Sequence, residues 1–317
     1  LISGNNAIKT SSSSPIYNVL LFSIFWALQI FFAKLGFNAG ASVLSFQLLS
    51  TIVALIILVI LILPDVRSQF SHLFTHQRPL FWKLYFANGI QAGFGTCFAL
   101  IGIALTDAIN AGFLVKLTTV TTIFFAWLIL KEKLSTLKVV TVLLMLVGAY
   151  LLTTQGKILI PRTGDLFLLG ACVCWSFGTV LVRRFLTNQP IEADVATMQK
   201  PLASLPVIMV LIGVSYYFSG TTGNFNQLFS CCSFSYQDLL YAMLNGFCLA
   251  MAWIFLYRTL KVSTASYMTL MSMLTPVIVS LLALIFLGEI LVQVQLIGAG
   301  MILLSGIVIY FSDMAYA

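Results

Sequence analysis

An all-α integral membrane protein, its ten transmembrane helices arranged as two inverted five-helix repeats, is the fold this sequence predicts. Three observations predict it: a composition too apolar for water, apolar runs of bilayer length, and a self-similarity at one constant spacing. Of the 317 residues, 60% are hydrophobic and 8% charged, against about 25% charged in an ordinary soluble chain; mean hydropathy is +1.05. Nine acidic and sixteen basic side chains cannot coat a soluble surface of this size. The apolar residues run together instead of forming one stripe per helix, and a run of ~18 or more crosses a hydrocarbon core of about 30 Å. The net charge of +7 falls mostly in short loops, where it sets orientation and gives no reason to expect nucleic-acid binding.

The elements follow in order. Residues 1–15, polar and Ser-rich, read as a disordered tail without the charged start and cleavage site of a signal peptide. A first repeat over 16–155 holds spans at 16–38, 42–64, 80–105, 108–130 and 135–154. A second over 162–312 holds spans at 164–187, 193–218, 237–260, 263–287 and 291–312, and 313–317 form a short tail. Short loops make successive spans antiparallel neighbours; the longer loops are expected at Asp65–Lys83 and Ser219–Gln237. Lys9, Arg67, Arg78, Lys83, Lys131, Lys133, Lys138, Arg183, Arg184, Arg258 and Lys261 fall on the N-terminal side, and only Lys157 and Arg162 on the other. That asymmetry predicts both termini in the cytoplasm.

The repeat is legible residue by residue. Leu130-Lys131-Glu132 matches Leu287-Gly288-Glu289, Leu117-Thr118 matches Leu274-Thr275, Ala108 matches Ala265 and Gly89 matches Gly246, all at one spacing. Phe25-Trp26 resembles Cys174-Trp175, with Lys34 opposite Arg183. Five spans per half force the second copy upside down, the inverted-topology construction of secondary transporters. Matching loops carry opposite charge loads, as inversion demands: Lys131, Lys133 and Lys138 follow span four, whereas only Glu289 marks the loop after span nine.

With these features the sequence resembles the drug/metabolite transporter superfamily, in particular its EamA-like branch. The resemblance covers essentially the whole chain, with a Leu-Gly-Glu signature at Leu287–Glu289 and Pro276 within span nine; Lys131 and Thr119 depart from the pattern in the first half. It implies alternating access around a central cavity lined by spans one, three, four, six, eight and nine, with small metabolites, amino acids or drugs crossing, often outward. It also implies the inner membrane of a bacterium.

Candidate residues were weighed against plain structural roles. Lys116, near the middle of span four, lies roughly 13 Å deeper than Asp107 at 1.5 Å per residue, too deep to reach water easily on its stem. Intramembrane ammonium groups usually face a cavity or a partner, so Lys116 is the leading substrate-binding candidate, suited to an anionic group. Trp26, Gln29, Gln91, Asn110, Trp175, Trp253, Tyr257, Tyr267 and Thr275 could line the same cavity. Lys200, beside Pro201 in a span expected to be peripheral, reads as structural or interfacial, and Lys34 as reaching the interface. Glu132 and Glu289 are expected to complement the helix starts of spans five and ten, and Asp107 to cap a turn. Gly89-Ile-Gln-Ala-Gly93 reads as close helix packing. His72 and His76 have metal-capable spacing but read as a solvated loop. The six cysteines, Cys231 and Cys232 in a polar loop among them, read as structural.

No phosphate-binding Gly-x-x-x-x-Gly-Lys-Ser/Thr is present, and no cofactor or metal is called for. A membrane enzyme would need acids, bases or ligands clustered inside the spans, and a receptor or scaffold would not need an inverted repeat; both are the poorer readings. The expected partners are a small-molecule substrate and membrane lipid. Proton coupling and a substrate gradient both fit, as do a monomer and a homodimer.

Overall fold

The computed structural model describes residues 15–106, 108–187, 189, 191–218, 235–288 and 291–314. Among them, ten helices are long and apolar enough to cross a membrane: Pro15–Asn38, Val43–Leu61, Arg78–Ile103, Asn110–Leu130, Thr136–Thr154, Thr163–Leu186, Ala193–Val214, Tyr236–Val262, Ala265–Phe286 and Gln293–Phe311. The expected tail before Pro15, Asp107, Glu289, Cys231 and Cys232 lie outside the described residues.

Polar side chains set where several spans begin. Ser42 accepts from the Ser45 amide, Ser135 from that of Lys138, and Thr264 from that of Tyr267. Spans six and eight start on Asp165 and on Ser235 with Asp238, whose side chains fold back on the first turn. Each such cap satisfies N–H groups that a helix start leaves bare, and is worth ~1 kcal/mol.

One expected loop is a helix. Leu63–His76 sits between spans two and three, with Pro64 in its first turn. Val66 and Leu73, two turns apart, are buried on one side, with Phe70 packed between them; Arg67, His72 and His76 are exposed. This is the apolar stripe of a half-covered helix, hidden from a sequence reading tuned to long apolar runs. The His72 and His76 rings stack at 4.9 Å in the open.

The repeat reappears as backbone geometry. Span four tightens into a 3-10 turn at Val115–Leu117, and span nine does so at the matching Ser272–Leu274. In span nine Pro276 has no N–H to offer the Ser272 carbonyl, and Thr275 takes that carbonyl instead. In span four the Thr118 hydroxyl takes the Val115 carbonyl at 2.6 Å. Past the signature leucines, Lys131 (φ 56) and Gly288 (φ 65) both turn left-handed.

Span one packs on span eight, three on six, five on ten, and two on seven and eight. Spans five and ten approach closely, and a Cβ on Gly148 would lie 2.7 Å from the Gly298 carbonyl oxygen. The close packing expected of Gly89 and Gly93 is half right: Gly93 abuts Val207, but Gly89 faces open space. Those two residues belong to a π-helical stretch, Gly89–Phe94, which shifts them off a common α-helical face.

Candidate functional site

Span six carries a polar stripe at helical spacing: Cys172, Ser176, Thr179 and Arg183. Cys172 Sγ donates to the Leu114 carbonyl at 3.3 Å. Ser176 joins the Thr121 and Thr122 hydroxyls at 2.5 and 2.9 Å and donates to the Thr118 carbonyl. The stripe thus ties span six to the backbone on both sides of Lys116. Lys116 itself is half-buried within the 3-10 turn, and no described residue accepts a hydrogen bond from its ammonium.

Deeper along the stripe lies a buried network. Thr179 donates its only proton to the Trp175 carbonyl at 2.7 Å, so it must accept from Gln91 Nε2. That fixes the amide of Gln91 and turns its oxygen to the Tyr257 hydroxyl, 2.9 Å away. Asn88, one turn earlier on span three, donates to the Ala196 carbonyl at 3.3 Å and offers its oxygen to the same hydroxyl. Above the Tyr257 and Trp253 rings sits the Lys200 ammonium, 5.1 and 5.3 Å from their centroids. Lys200 is 5% exposed.

Of the residues singled out in the sequence, the structure therefore brings Gln91, Trp253 and Tyr257 together, with Lys200, Asn88 and Thr179 as members that sequence reasoning missed. Lys200, read from the sequence as structural or interfacial, is buried against span eight. The first turns of span seven are buried all round, from Val195 to Lys200. Its neighbours Pro201 and Pro206 were the available signal: Pro206 frees the Leu202 carbonyl, which the Tyr85 hydroxyl takes at 3.1 Å. Asn88, three residues before Gln91, was a second.

The other candidates make contacts of their own, although the Trp175 carbonyl also accepts from Thr179. Trp26 stacks on Phe22 at 5.6 Å, and Gln29 lends its backbone carbonyl to Asn245. Asn110 is bound to Asp165 and to the Ile160 carbonyl at the far face. The Trp175 ring lies against Gly95. Tyr267 is buried in the first turn of span nine, and the buried Thr275 hydroxyl has no partner among the described residues.

Polar contacts tie several spans together at the face on which helix one begins. Glu132 accepts from the Ala265 and Ser266 amides at 2.9 and 3.2 Å and from the Ser266 hydroxyl at 2.5 Å. It caps the start of span nine, across the repeat boundary. This corrects the expectation that it serves span five, where Ser135 already supplies the cap. Arg183 donates to the Leu260 and Lys261 carbonyls at the end of span eight, and Arg258 grips Asp194 through two bonds of 3.0 and 2.6 Å. On this side Ala265–Met271 of span nine packs on Thr118–Phe125 of span four. Beyond the 3-10 turns, span nine packs on span one and span four on spans five and six.

Comparison with known proteins agrees with this architecture. A crystal structure aligns over 93% of this chain and 96% of its own, with a TM-score of 0.73 and 16% identity, a likeness of fold. The uncharacterized transporter YyaM of Bacillus subtilis (strain 168) is 30% identical over 131 residues, 39% of this chain and 43% of that protein. An uncharacterized transporter of Clostridium kluyveri is 25% identical over 218 residues, 67% of this chain and 66% of its own length. The chain thus matches less than two thirds of either relative. The EamA-like transporter family profile matches twice, at 13–154 and 162–311, one match for each half. With its ten spans in two repeats, the chain belongs to the EamA-like transporter family.

Proposed function

We propose that the protein is a secondary carrier that moves small organic solutes with an anionic group, amino acids and related zwitterions among them, outward by alternating access. The observation that carries this reading is Lys116, an ammonium half-buried at a broken point of a membrane helix with no acceptor among the described residues. A lysine at the centre of a span costs about 2.5–3.5 kcal/mol, and a substrate carboxylate offsets that cost. Met273 holds the matching place in span nine, so the field across the cavity is lopsided. The packing supports one end state of such a cycle. Spans four and nine meet below their 3-10 turns and part above them, while Glu132 and Arg183 tie spans together at the N-terminal face. The excess of basic residues makes that face cytoplasmic. Both named relatives come from bacteria, which supports a bacterial cytoplasmic membrane.

The test is reconstitution of the full chain into vesicles loaded with pooled metabolites grouped by charge. Depletion of anionic or zwitterionic solutes is expected. Lys116→Met, which copies the residue in the other half, is expected to slow that depletion by about tenfold or more, a loss of ~1.4 kcal/mol, while the unfolding temperature holds. Unchanged kinetics in the variant remove Lys116 from the site; vesicles that lose no solute overturn the carrier reading itself.

A further inference from the structure

We propose that Lys200, caged by Trp253 and Tyr257, is a second and occluded binding site that takes the carboxylate of a zwitterionic solute, while the spare oxygen of Asn88 or Gln91 takes its ammonium. This rests on the carrier reading and states where the two charges of the solute are held.

Two shortfalls at one place carry the argument. The first is of charge. Lys200 is 5% exposed and donates no hydrogen bond to a described residue. Its company is two aromatic faces. Two desolvated cation–π contacts at about 2 kcal/mol each match the ~2.5–3.5 kcal/mol that a central lysine costs, but they supply no anion and leave three N–H donors without an acceptor. The second shortfall is of protons. Asn88 Oδ1 and Gln91 Oε1 both lie within bonding reach of the Tyr257 hydroxyl. A phenol has one proton to give, and both amide nitrogens are committed elsewhere. One carbonyl oxygen is therefore spare, in a place where an unpaired acceptor is costly.

The cage thus lacks one anion and one donor. Water meets the second need without meeting the first, and a halide does the reverse. A small zwitterion meets both at once, in a state of the carrier that parts span seven from span eight, since Tyr257 and Asn88 are fully covered in this one. Span seven, which would have to move to admit the solute, carries Pro201 and Pro206 inside one continuous helix. There the Leu202 carbonyl is held by the Tyr85 side chain and not by the helix backbone.

The experiment uses the full chain in vesicles and matched probes: free amino acids, their carboxamides, which lack the carboxylate, and their N-acetyl derivatives, which lack the ammonium. Wild type is expected to bind the free amino acid about tenfold or more tighter than either derivative. In a Lys116→Met background, which removes the first carboxylate site, Lys200→Met should bring the amino acid and its carboxamide to within about twofold of each other, and Lys200→Arg should keep part of the preference. On the unaltered lysine, amino-acid binding should draw the ammonium off Trp253 and change its fluorescence, a signal absent from Trp253→Phe; this readout stands even if Lys200→Met does not fold. If the double variant Lys116→Met, Lys200→Met still discriminates, or Trp253 emission does not respond while transport proceeds, the cage is not the site and the carrier reading stands. If wild type neither binds nor moves any amino acid of the set, the zwitterion reading and this site fall together.

Discussion

Lys131 holds a left-handed backbone conformation, φ 56, at the place where Gly288 holds φ 65. An L-residue there is strained by about 1–2 kcal/mol and glycine is not, so Lys131→Gly should raise the stability of the first half by about 1 kcal/mol, read as a higher unfolding temperature in detergent. The sequence showed the mismatch between the two signatures, and only the backbone gives its meaning. The carboxylate beside it behaves otherwise. Glu132 was assigned to a helix start close by in the chain, whereas the start it caps is 133 residues away. Glu132→Gln keeps the shape and weakens three bonds to the start of span nine. It should cost ~1 kcal/mol or more and loosen the N-terminal face, seen as faster amide hydrogen exchange at Ala265 and Ser266. Which lysine is caged was equally illegible. Lys116 and Lys200 look alike in a string of apolar letters, and the aromatic lid over Lys200 comes from span eight, far along the chain.

At the scale of elements, glycines that look alike in sequence divide sharply. A Cβ on Gly178 of span six would lie 2.6 Å from the Gln91 Cβ and 2.7 Å from the Ala87 carbonyl oxygen, with nowhere to move. Gly178→Ala should therefore cost about 1–3 kcal/mol and disturb the Gln91 network. Gly89 faces nothing within 4 Å, and Gly89→Ala should be neutral or gain up to about 1 kcal/mol. Parallel thermal melts of the two variants check the contrast. The spans themselves were legible, because a bilayer demands a minimum apolar length whatever packs beside it. The π stretch in span three, the paired 3-10 turns and the amphipathic helix Leu63–His76 were not. They shift a hydrogen-bond register or bury a narrow stripe, and neither leaves a mark on average hydropathy.

At the scale of the whole molecule, the two halves, their constant spacing and their charge asymmetry were all readable, since inversion leaves its trace in which loops hold lysine and arginine. The orientation drawn from that asymmetry is checked with a membrane-impermeant thiol reagent on intact cells. Lys157→Cys, exposed on the far face, should be labelled from outside, and Lys133→Cys, exposed beside the clasp, only after the membrane is opened; the reverse pattern would invert the assignment. The candidate site was less readable than the scaffold. Three of its members, Gln91, Trp253 and Tyr257, could be picked out as polar or aromatic residues inside spans, but what joins them is a count of protons and acceptors that exists only once four helices have met.

The bridge from Glu132 to span nine also bears on how the protein is made. Its two ends are 133 residues apart, and a ribosome adds about 5–20 residues each second. The first half therefore waits in the membrane for several seconds or longer with that carboxylate unengaged, and the clasp closes only after the start of span nine has been made. A chain stopped before span nine leaves Glu132 without the amides it caps, so this single contact distinguishes chains that have reached span nine from those that have not.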